Sequence, residues 1–323
     1  MKALVLQQAG TTPLMVIEER PMPVVAAGQS LVRVHAATAN PLSQLLRSGQ
    51  LPIPALPLVL SNDGAGVVEH SQRFAAGTPV LIYGGEALGI TQDGLQQQWV
   101  AIDDARLIEL PAGLSLDEGA ALPINYLTAF QALNRVGQVR AGQDVLVSGA
   151  SGSVGQALVQ TALALGARPI AVVSTSAKVE QARQAGAQRV IDLSRDVLRE
   201  RVLAFTDGRG ADLALDTVGG SLTGALLAAL RPRGCVVCIG FVGGTQAQID
   251  VADVVIHEKR IAGYDAHLET PADIAAAFER ILHFVAQGLL KPRIDSRYPL
   301  ERHADAYARL TSREATGAIL LHP

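Results

Sequence analysis

Three evenly spaced glycines in the segment VSGASGSVGQ could hold the phosphates of a dinucleotide. Gly149, Gly152 and Gly155 follow an apolar run and precede a helix-like one. At such a junction the free amides of the first helical turn and the helix dipole attract anions, and a bare backbone lets a pyrophosphate approach closely. The dinucleotide fingerprint is G-x-G-x-x-G, and here Ala150 takes the place of its first glycine.

The loop alone leaves a second interpretation open, because small residues between a strand and a helix also serve close packing. Its position after the first strand of an alternating strand–helix series favours dinucleotide binding, since that is where such a site belongs. The predicted cofactor contacts in the loop are Gly149, Ala150, Ser151, Gly152, Ser153, Val154 and Gly155.

The end of the next predicted strand selects between the two nicotinamide dinucleotides. An NAD enzyme places a carboxylate about 20 residues after the loop, where it binds the ribose 2′-hydroxyl. Here the segment VVSTSAK offers Ser174, Thr175, Ser176 and Lys178 instead. Hydroxyls and an ammonium group can hold a 2′-phosphate, so the sequence predicts NADPH as the cofactor. The alternative is that Ser176 caps a helix and Lys178 is merely exposed.

The first 120 residues consist of short strand-like runs. KALVL, SLVRVHA, AGVVEH, TPVLIYG and QQWVAI are rich in β-branched residues and are separated by Gly, Pro, Asn or Asp. Three prolines, Pro52, Pro54 and Pro57, exclude a helix from the segment QLPIPALPLVL. An all-β, partly closed barrel is therefore predicted.

From Leu122 onward, apolar strands alternate with amphipathic helices. The strands DVLVSG, RPIAVVS, QRVID, ADLALDTV and GCVVCIGF are separated by helical patterns such as VGQALVQTALALG. This alternation predicts a doubly wound parallel sheet over residues 121–264. The helical pattern PADIAAAFERILHFVAQG and the strand ATGAILLHP follow, and the strand is expected to return to the barrel. Residues 1–120 and 265–323 are therefore predicted to form one domain.

The composition argues against several classes of protein. Apolar residues make up 49% and charged residues 18% of the chain, which is enough to bury a substantial core. The formal net charge of −3 gives no electrostatic reason to expect nucleic acid or an anionic membrane as partner. Two cysteines fit a reducing compartment. Because neither a signal-peptide pattern nor a membrane-length apolar run is visible, we expect a soluble, cytoplasmic protein.

The segment ALPINYLTAFQAL, followed by VLVSGASGSVGQALVQTALALGA, resembles the zinc-independent quinone oxidoreductases of the medium-chain dehydrogenase/reductase superfamily. TANPLSQLLRSG, DLALDTVGG, GCVVCIGFVGG and LTSREATGAILL follow in the order of that zeta-crystallin-like branch. The resemblance implies a GroES-like, partly closed β-barrel domain and a Rossmann cofactor domain, with the nicotinamide in the cleft between them. It also implies a dimer or tetramer, and we expect a homodimer.

The resemblance also implies roles for residues outside the glycine loop. Asn40 would lie near the nicotinamide, Thr128 near its ribose or phosphate, and Arg313 near the adenosine phosphate. The further residues expected along the cofactor are Thr217, Val218, Gly219, Gly240, Phe241 and Val242.

The chain departs from the family pattern at several positions. A tyrosine considered for substrate contact is Leu45 here, and a usual acid is Ser43. The glycine before the x-[DE]-G-x-G turn is Ser61, and a tyrosine near the adenosine phosphate is Leu193. These differences bear on the substrate and on some of the NADPH contacts.

The sequence predicts that no metal is used. Zinc enzymes of the superfamily hold the catalytic ion with a thiolate and an imidazole, and here Asn40 and Asn62 stand at those places. Cys235 and Cys238 have a C-x-x-C spacing, but they lie in an apolar strand in which residues three apart point to opposite faces. They are therefore predicted to be buried core thiols.

Hydride transfer to an electrophilic acceptor is the chemistry that this set of residues favours. A quinone or an α,β-unsaturated carbonyl spreads the arriving charge onto an oxygen, where one or two hydrogen-bond donors suffice. The candidate donors are Asn40, Ser43 and Asn62, whereas Asp63 is assigned to a turn and Tyr126 to packing or substrate contact.

Two other functions remain open at this stage. An enoyl-thioester reductase of the same superfamily usually relies on a tyrosine near the Asn40 loop, and PLSQLLRSGQLP contains none. The other is a non-catalytic protein that binds or senses NADPH. RNA binding is disfavoured because the chain lacks clusters of aromatic and basic residues.

Overall fold

The computed structural model describes all residues from 1 to 323 and contains sixteen strands and ten α-helices. The strands are β1 (Lys2–Gln8), β2 (Leu14–Glu19), β3 (Gln29–Ala39), β4 (Leu58–Val59), β5 (Asp63–His70), β6 (Pro79–Tyr83), β7 (Trp99–Asp103), β8 (Leu107–Glu109), β9 (Asp144–Ser148), β10 (Arg168–Val173), β11 (Arg189–Asp192), β12 (Ala211–Asp216), β13 (Leu230–Cys238), β14 (Arg260–Gly263), β15 (Ile294–Pro299) and β16 (Ala318–His322). The helices are α1 (Pro41–Arg47), α2 (Leu116–Ala120), α3 (Pro123–Gln131), α4 (Ser153–Ala164), α5 (Val179–Gln184), α6 (Leu198–Phe205), α7 (Ser221–Ala228), α8 (Val251–Ile256), α9 (Pro271–Ala286) and α10 (His303–Thr311). None of the helices combines the length and the apolar character needed to cross a membrane.

The chain divides into two compact units, which differ in part from the predicted domains. Unit 1 comprises Met1–Ile124 and Pro292–Pro323, and unit 2 comprises Asn125–Lys291. The predicted boundary after residue 264 is wrong, because the following segment with α9 belongs to unit 2. Side chains explain this: Gln131 Nε2 donates to Glu269 Oε2 at 2.8 Å and Arg135 donates to Glu269 Oε1 at 2.7 Å. These bonds tie the start of the α9 segment to the end of α3.

Unit 1 is built on antiparallel strands, as predicted. One sheet has the order β15-β16-β3-β5-β6-β8, with β7 also paired to β3, and a smaller sheet has the order β2-β1-β4. Along β3 the residues Val32 and Val34 alternate with half-buried or exposed neighbours, which gives the period of a strand with one buried face. The closing strand β16 pairs antiparallel with β3, so the predicted return to the barrel is confirmed.

Unit 2 is a parallel sheet with the order β11-β10-β9-β12-β13-β14. The central strands are apolar along their length because helices cover both faces of such a sheet, and Leu146, Ile170 and Val236 are fully buried in its core. From β9 the chain builds outward to β11 and then crosses to β12 on the other side. The gap between β9 and β12 is therefore the switch point at which doubly wound sheets bind ligands.

Candidate active site

The segment from the end of β9 into the first turn of α4 contains three glycines. Close packing explains why two of them lack a side chain, but it does not explain the third. A Cβ at Gly149, whose φ is +58°, would lie 2.5 Å from Thr217 Oγ1, and one at Gly155 would lie 2.1 Å from the Gly149 oxygen. A Cβ at Gly152 would meet nothing closer than 3.5 Å, and its φ of −81° suits any residue. The packing interpretation therefore accounts for Gly149 and Gly155, whereas the bare position at Gly152 fits a ligand.

Gly152 is also the N-cap of α4, and no side chain caps this helix. The first-turn amides of a twelve-residue helix are thus left to an external acceptor. Together with the helix dipole they form an anion site at the switch point of the sheet, suited to a pyrophosphate. Of the predicted residues, Gly149 to Gly152 form the four-residue loop between β9 and α4, and Ser153, Val154 and Gly155 form the first turn of α4.

Asp216 fixes the neighbouring loop at the end of β12. Its Oδ1 accepts hydrogen bonds from the amides of Val218 and Gly219 at 3.0 Å and from Ser148 Oγ at 2.8 Å. A Cβ at Gly240 would lie 2.5 Å from the Thr217 oxygen, so the loop after β13 packs backbone to backbone against the loop after β12. The structure thus brings these two loops together beside the glycine loop.

The remaining residues predicted along the cofactor differ in their surroundings. Phe241 and Val242 are exposed after β13, which leaves their surface open to a ligand. Thr128 is buried in α3, whereas Arg313 follows α10 in unit 1 with a φ of +61°. Tyr126 packs: its hydroxyl donates to Gln160 Oε1 at 2.8 Å, and burial raises its pKa.

The hydroxyl-rich segment after β10 does not form the helix cap that was the alternative interpretation. Ser176 Oγ donates to Asp192 Oδ2, while Thr175 precedes the short 3₁₀ turn without a side-chain cap. Lys178 Nζ donates to Ser174 Oγ at 3.3 Å. The hydrogen bond from Ser176 is the main cause that holds the pKa of Asp192 below its usual range.

A pocket of about 380 Å³ opens beside this segment, and it contains cationic groups that sequence reasoning missed. It is lined by Ser176, Val179, Arg183, Asp192, Arg195 and Asp196. Arg183 and Arg195 are both exposed. The position of Arg195 just after β11 was the available indication, because loops at the carboxyl edge of a parallel sheet converge on one site.

In unit 1, Asn40 is held at both ends of its side-chain amide. It is the N-cap of α1, where its Oδ1 accepts from the Ser43 amide at 2.9 Å. Ser43 Oγ completes the capping box by accepting from the Asn40 amide at 3.1 Å and donating to the Asn40 oxygen at 2.8 Å. Asn40 Nδ2 lies 2.9 Å from Asn62 Oδ1 and 3.2 Å from Asp63 Oδ1. The N–H groups of Asn40 and the O–H group of Ser43 therefore already donate to acceptors within the protein, and these two residues hold the cluster in place.

Asn62 is the third predicted donor, and its side-chain nitrogen does not donate to Asn40 or Ser43. Its side chain is 3% exposed, and its Oδ1 is occupied by Asn40 Nδ2. The carboxamide geometry then directs Nδ2 away from Asn40, and two N–H groups remain for another acceptor.

Asp63 is a buried acid rather than the turn residue expected from the sequence. It is the first residue of β5 and is 1% exposed. Thr38 Oγ1 and Asn40 Nδ2 both donate to its Oδ1. Burial outweighs these bonds and raises the pKa of Asp63 to about 6. The assignment to a turn was wrong, because this residue is the first of a strand whose pairing depends on distant parts of the chain.

The cluster does not fit a zinc ion. The ligands of catalytic zinc are thiolates, imidazoles and carboxylates, whereas Asn40 and Asn62 offer carboxamides that are bonded to each other. Of the two thiols, Cys235 is buried and Cys238 half-buried. Burial is the main cause that raises the pKa of both, which opposes the thiolate form needed to hold a metal.

Two family models match the two parts of the chain. Residues 26–112 match the alcohol dehydrogenase GroES-like domain, and residues 153–283 match the zinc-binding dehydrogenase. The chain belongs to the medium-chain dehydrogenase/reductase superfamily, in its quinone oxidoreductase-like branch. The predicted GroES-like and Rossmann architecture is thereby confirmed.

Similar proteins of this superfamily cover almost the whole chain. A quinone oxidoreductase of Pseudomonas aeruginosa is 29% identical over 302 residues, which is 90% of this chain and 90% of that protein. The quinone oxidoreductase of Escherichia coli complexed with NADPH is 26% identical, with a TM-score of 0.89 over 100% of both chains. A NAD-dependent alcohol dehydrogenase is 29% identical, with a TM-score of 0.91 over 100% of both chains. The chain is thus an oxidoreductase of this superfamily that uses a nicotinamide cofactor.

Proposed function

We propose that this chain is an NADPH-dependent reductase that transfers a hydride to a quinone or an α,β-unsaturated carbonyl without a metal. The observation that carries the proposal is the amide pair of Asn40 and Asn62, which replaces zinc ligands by hydrogen-bonding groups. Without a Lewis acid to lower its pKa, an alcohol is a poor hydride donor, whereas a conjugated acceptor needs only charge stabilisation. The quinone oxidoreductases among the relatives support the same acceptor class.

The residues of unit 1 would act on the acceptor. NADPH, when bound, supplies the hydride. Asn62 Nδ2 donates to the acceptor oxygen that becomes negative, Asn40 fixes the orientation of Asn62, and Asp63 fixes Asn40. Such preorganised donors lower a barrier because they are already aligned before charge develops. In this scheme Asn40 and Ser43 are positioning residues.

The preference for NADPH over NADH would come from the pocket beside β10. Arg183 and Arg195 add positive charge to Ser174, Ser176 and Lys178 at the end of this strand. A 2′-phosphate can accept several charge-assisted hydrogen bonds from such groups. Asp192 is ionised in the same pocket and opposes a phosphate, so the arginines are needed to offset it.

The acceptor class is tested with the purified protein and four acceptors. NADPH is incubated with phenanthrenequinone, benzoquinone, an enone and a crotonyl thioester, and the loss of reduced-nicotinamide absorbance is followed before and after exhaustive chelation. We expect turnover of a quinone or the enone that survives chelation. Preferential turnover of the thioester would assign an enoyl-thioester reductase, and tight NADPH binding without turnover would assign a binding protein. Loss of activity on chelation, in a chain that circular dichroism shows to be still folded, would refute the metal-free mechanism.

The role of Asn62 is tested with Asn62→Asp, which keeps the shape of the side chain and removes its N–H donors. We expect kcat to fall by about 10² to 10³ with little change in the Kd of NADPH. Asn40→Ala should lower turnover more than NADPH affinity, because it leaves Asn62 unoriented. Asn134→Asp, at an exposed asparagine, is the matched control. An unchanged kcat in Asn62→Asp would remove this residue from the mechanism.

The cofactor preference is tested by two sets of variants. Ser174→Asp combined with Lys178→Ala should weaken NADPH use much more than NADH use. Arg195→Gln should do the same, while Arg233→Gln, at an exposed arginine paired with Glu258, serves as control. Equal losses with both cofactors would contradict the assignment of this pocket to the 2′-phosphate.

We also propose that the protein is a homodimer joined through unit 2. Strand β14 pairs only with β13 and forms an edge of the parallel sheet. The apolar side chains of Val255, Ile256 and Ile261 are 70%, 74% and 46% exposed beside it. An open edge next to exposed apolar residues is a surface that a second copy can cover.

The two free thiols, Cys235 and Cys238, support a reducing compartment such as the cytoplasm.

A further inference from the structure

A second cluster of ligand-type side chains lies in unit 1, apart from Asn40 and Asn62. It consists of His35 on β3, Asp117 on α2 and His322 on β16, and their ligand atoms all lie within 4.8 Å of one another. His35 precedes Asn40 by five residues along the chain, so the two lie about 16 Å apart if the strand is extended at 3.3 Å per residue. The cluster is therefore separate from the residues proposed to act on the acceptor.

His35 faces away from the core of unit 1 through the ordinary alternation of β3. Val34 and Ala36 are both buried, whereas the His35 side chain is 40% exposed. The imidazole thus lies on the exposed face of the strand, where its ligand atoms lie close to those of Asp117 on α2 and His322 on β16.

The distances between the three groups resemble those between the ligands of one ion. Asp117 Oδ1 lies 3.0 Å from His35 Nε2 and 3.2 Å from His322 Nε2. Bonds of about 2.0 to 2.1 Å in a tetrahedron separate neighbouring ligand atoms by roughly 3.3 Å. His322 Nε2 is buried and makes no hydrogen bond despite this short distance. Its lone pair is thus available to an ion.

Arg297 holds the carboxylate without using the oxygen that faces the imidazoles. Its Nε donates to Asp117 Oδ2, which leaves Oδ1 directed at His35 and His322. Hydrogen bonds to the distant oxygen of a ligating carboxylate are the usual way in which metal ligands are oriented. The positive charge of Arg297 reduces the affinity for a cation, so we expect moderate rather than tight binding.

We propose that His35, Asp117 and His322 form a binding site for a divalent transition-metal ion such as Zn²⁺. Two imidazoles and one carboxylate suit Zn²⁺ and its neighbours and do not suit Mg²⁺, which prefers oxygen ligands. The ion would join β3, α2 and β16, and it would stabilise unit 1 rather than take part in hydride transfer. The proposal does not depend on the proposed function.

The test is calorimetric titration of the chelator-treated full chain with Zn²⁺, with Mg²⁺ as the control ion. We expect one Zn²⁺ per chain with a Kd in the micromolar range, no saturable Mg²⁺ binding, and a Tm that rises by about 5 °C at 100 times the Kd. Co²⁺ in place of Zn²⁺ should give visible absorption bands of an ion with nitrogen ligands.

Three variants connect the binding to these residues. His35→Gln, Asp117→Asn and His322→Gln should each weaken Zn²⁺ binding tenfold or more, while His70→Gln, at an exposed histidine of the same unit, should leave it unchanged. Because His35 is exposed, His35→Gln serves even if His322→Gln fails to fold. The absence of saturable Zn²⁺ binding, or equal Kd values for the wild type and His35→Gln, would overturn the proposal.

Discussion

Replacing the buried carboxyl group of Asp63 by an amide should change how the stability of unit 1 depends on pH. Burial raises the pKa of Asp63 from the ordinary value of 3.8 to about 6 in the folded state. Folding therefore favours the protonated form, and the folded protein binds more protons than the unfolded chain between these two pH values. The contribution of Asp63 to the free energy of unfolding is greatest below about pH 4 and falls as the pH rises through 6.

The size of the effect follows from the separation of the two pKa values. At about 1.4 kcal/mol per pH unit, the interval from 3.8 to about 6 corresponds to a loss of about 3 kcal/mol. Asp63→Asn keeps an oxygen that can accept from Thr38 and Asn40 but does not titrate. The free energy of unfolding of the variant minus that of the wild type should therefore rise by about 2.4 kcal/mol between pH 4 and pH 7.

The assay is urea denaturation followed by tryptophan fluorescence. The chain has one tryptophan, Trp99 on β7, which lies in the same unit as Asp63 and reports its unfolding directly. Asp103→Asn, at an exposed carboxyl group of β7, is the matched control for replacing an aspartate by asparagine in this unit. A constant difference for Asp63→Asn over this range would refute the reasoning that burial dominates at this position.

Three further predictions concern unit 2. Gly152→Ala should fold like the wild type, since its Cβ makes only an ordinary van der Waals contact with the Gly149 oxygen, but it should weaken dinucleotide binding about tenfold in calorimetry. Gly155→Ala should cost about 1 to 3 kcal/mol of stability through its clash with the Gly149 oxygen, and identical behaviour of the two variants would be inconsistent with this assignment. Asp144→Ala removes the buried carboxylate that three partly exposed arginines share and should cost about 1 to 3 kcal/mol in chemical denaturation followed by circular dichroism, so a loss below about 0.5 kcal/mol would count against a structural role. Ile256→Asp should shift the protein to a monomer in sedimentation velocity, and an unchanged sedimentation coefficient would exclude this surface from the interface.

Much of unit 2 could be predicted because its pattern is local. A buried parallel strand is apolar along its length and the next helix has a different period, so each element is visible within a window of about ten residues. The glycine loop was located for the same reason. The loop sequence alone could not separate packing from binding, because the clash at Gly155 and the lack of any clash at Gly152 exist only once the backbone is placed.

The fold class, the glycine loop and the hydroxyl-rich segment after β10 can be predicted from the amino-acid sequence, because local periodicity and turn chemistry encode them. Three features depend on the folded chain: the hydrogen bonds of the Asn40 amide to neighbouring residues, the burial of Asp63, and the inclusion of α9 in unit 2. It also brought His35 and Asp117 together across 82 residues of chain. The physical reason is that hydrogen-bond partners, burial and the pKa values that follow from them depend on residues far apart in sequence, which only the folded chain brings into contact.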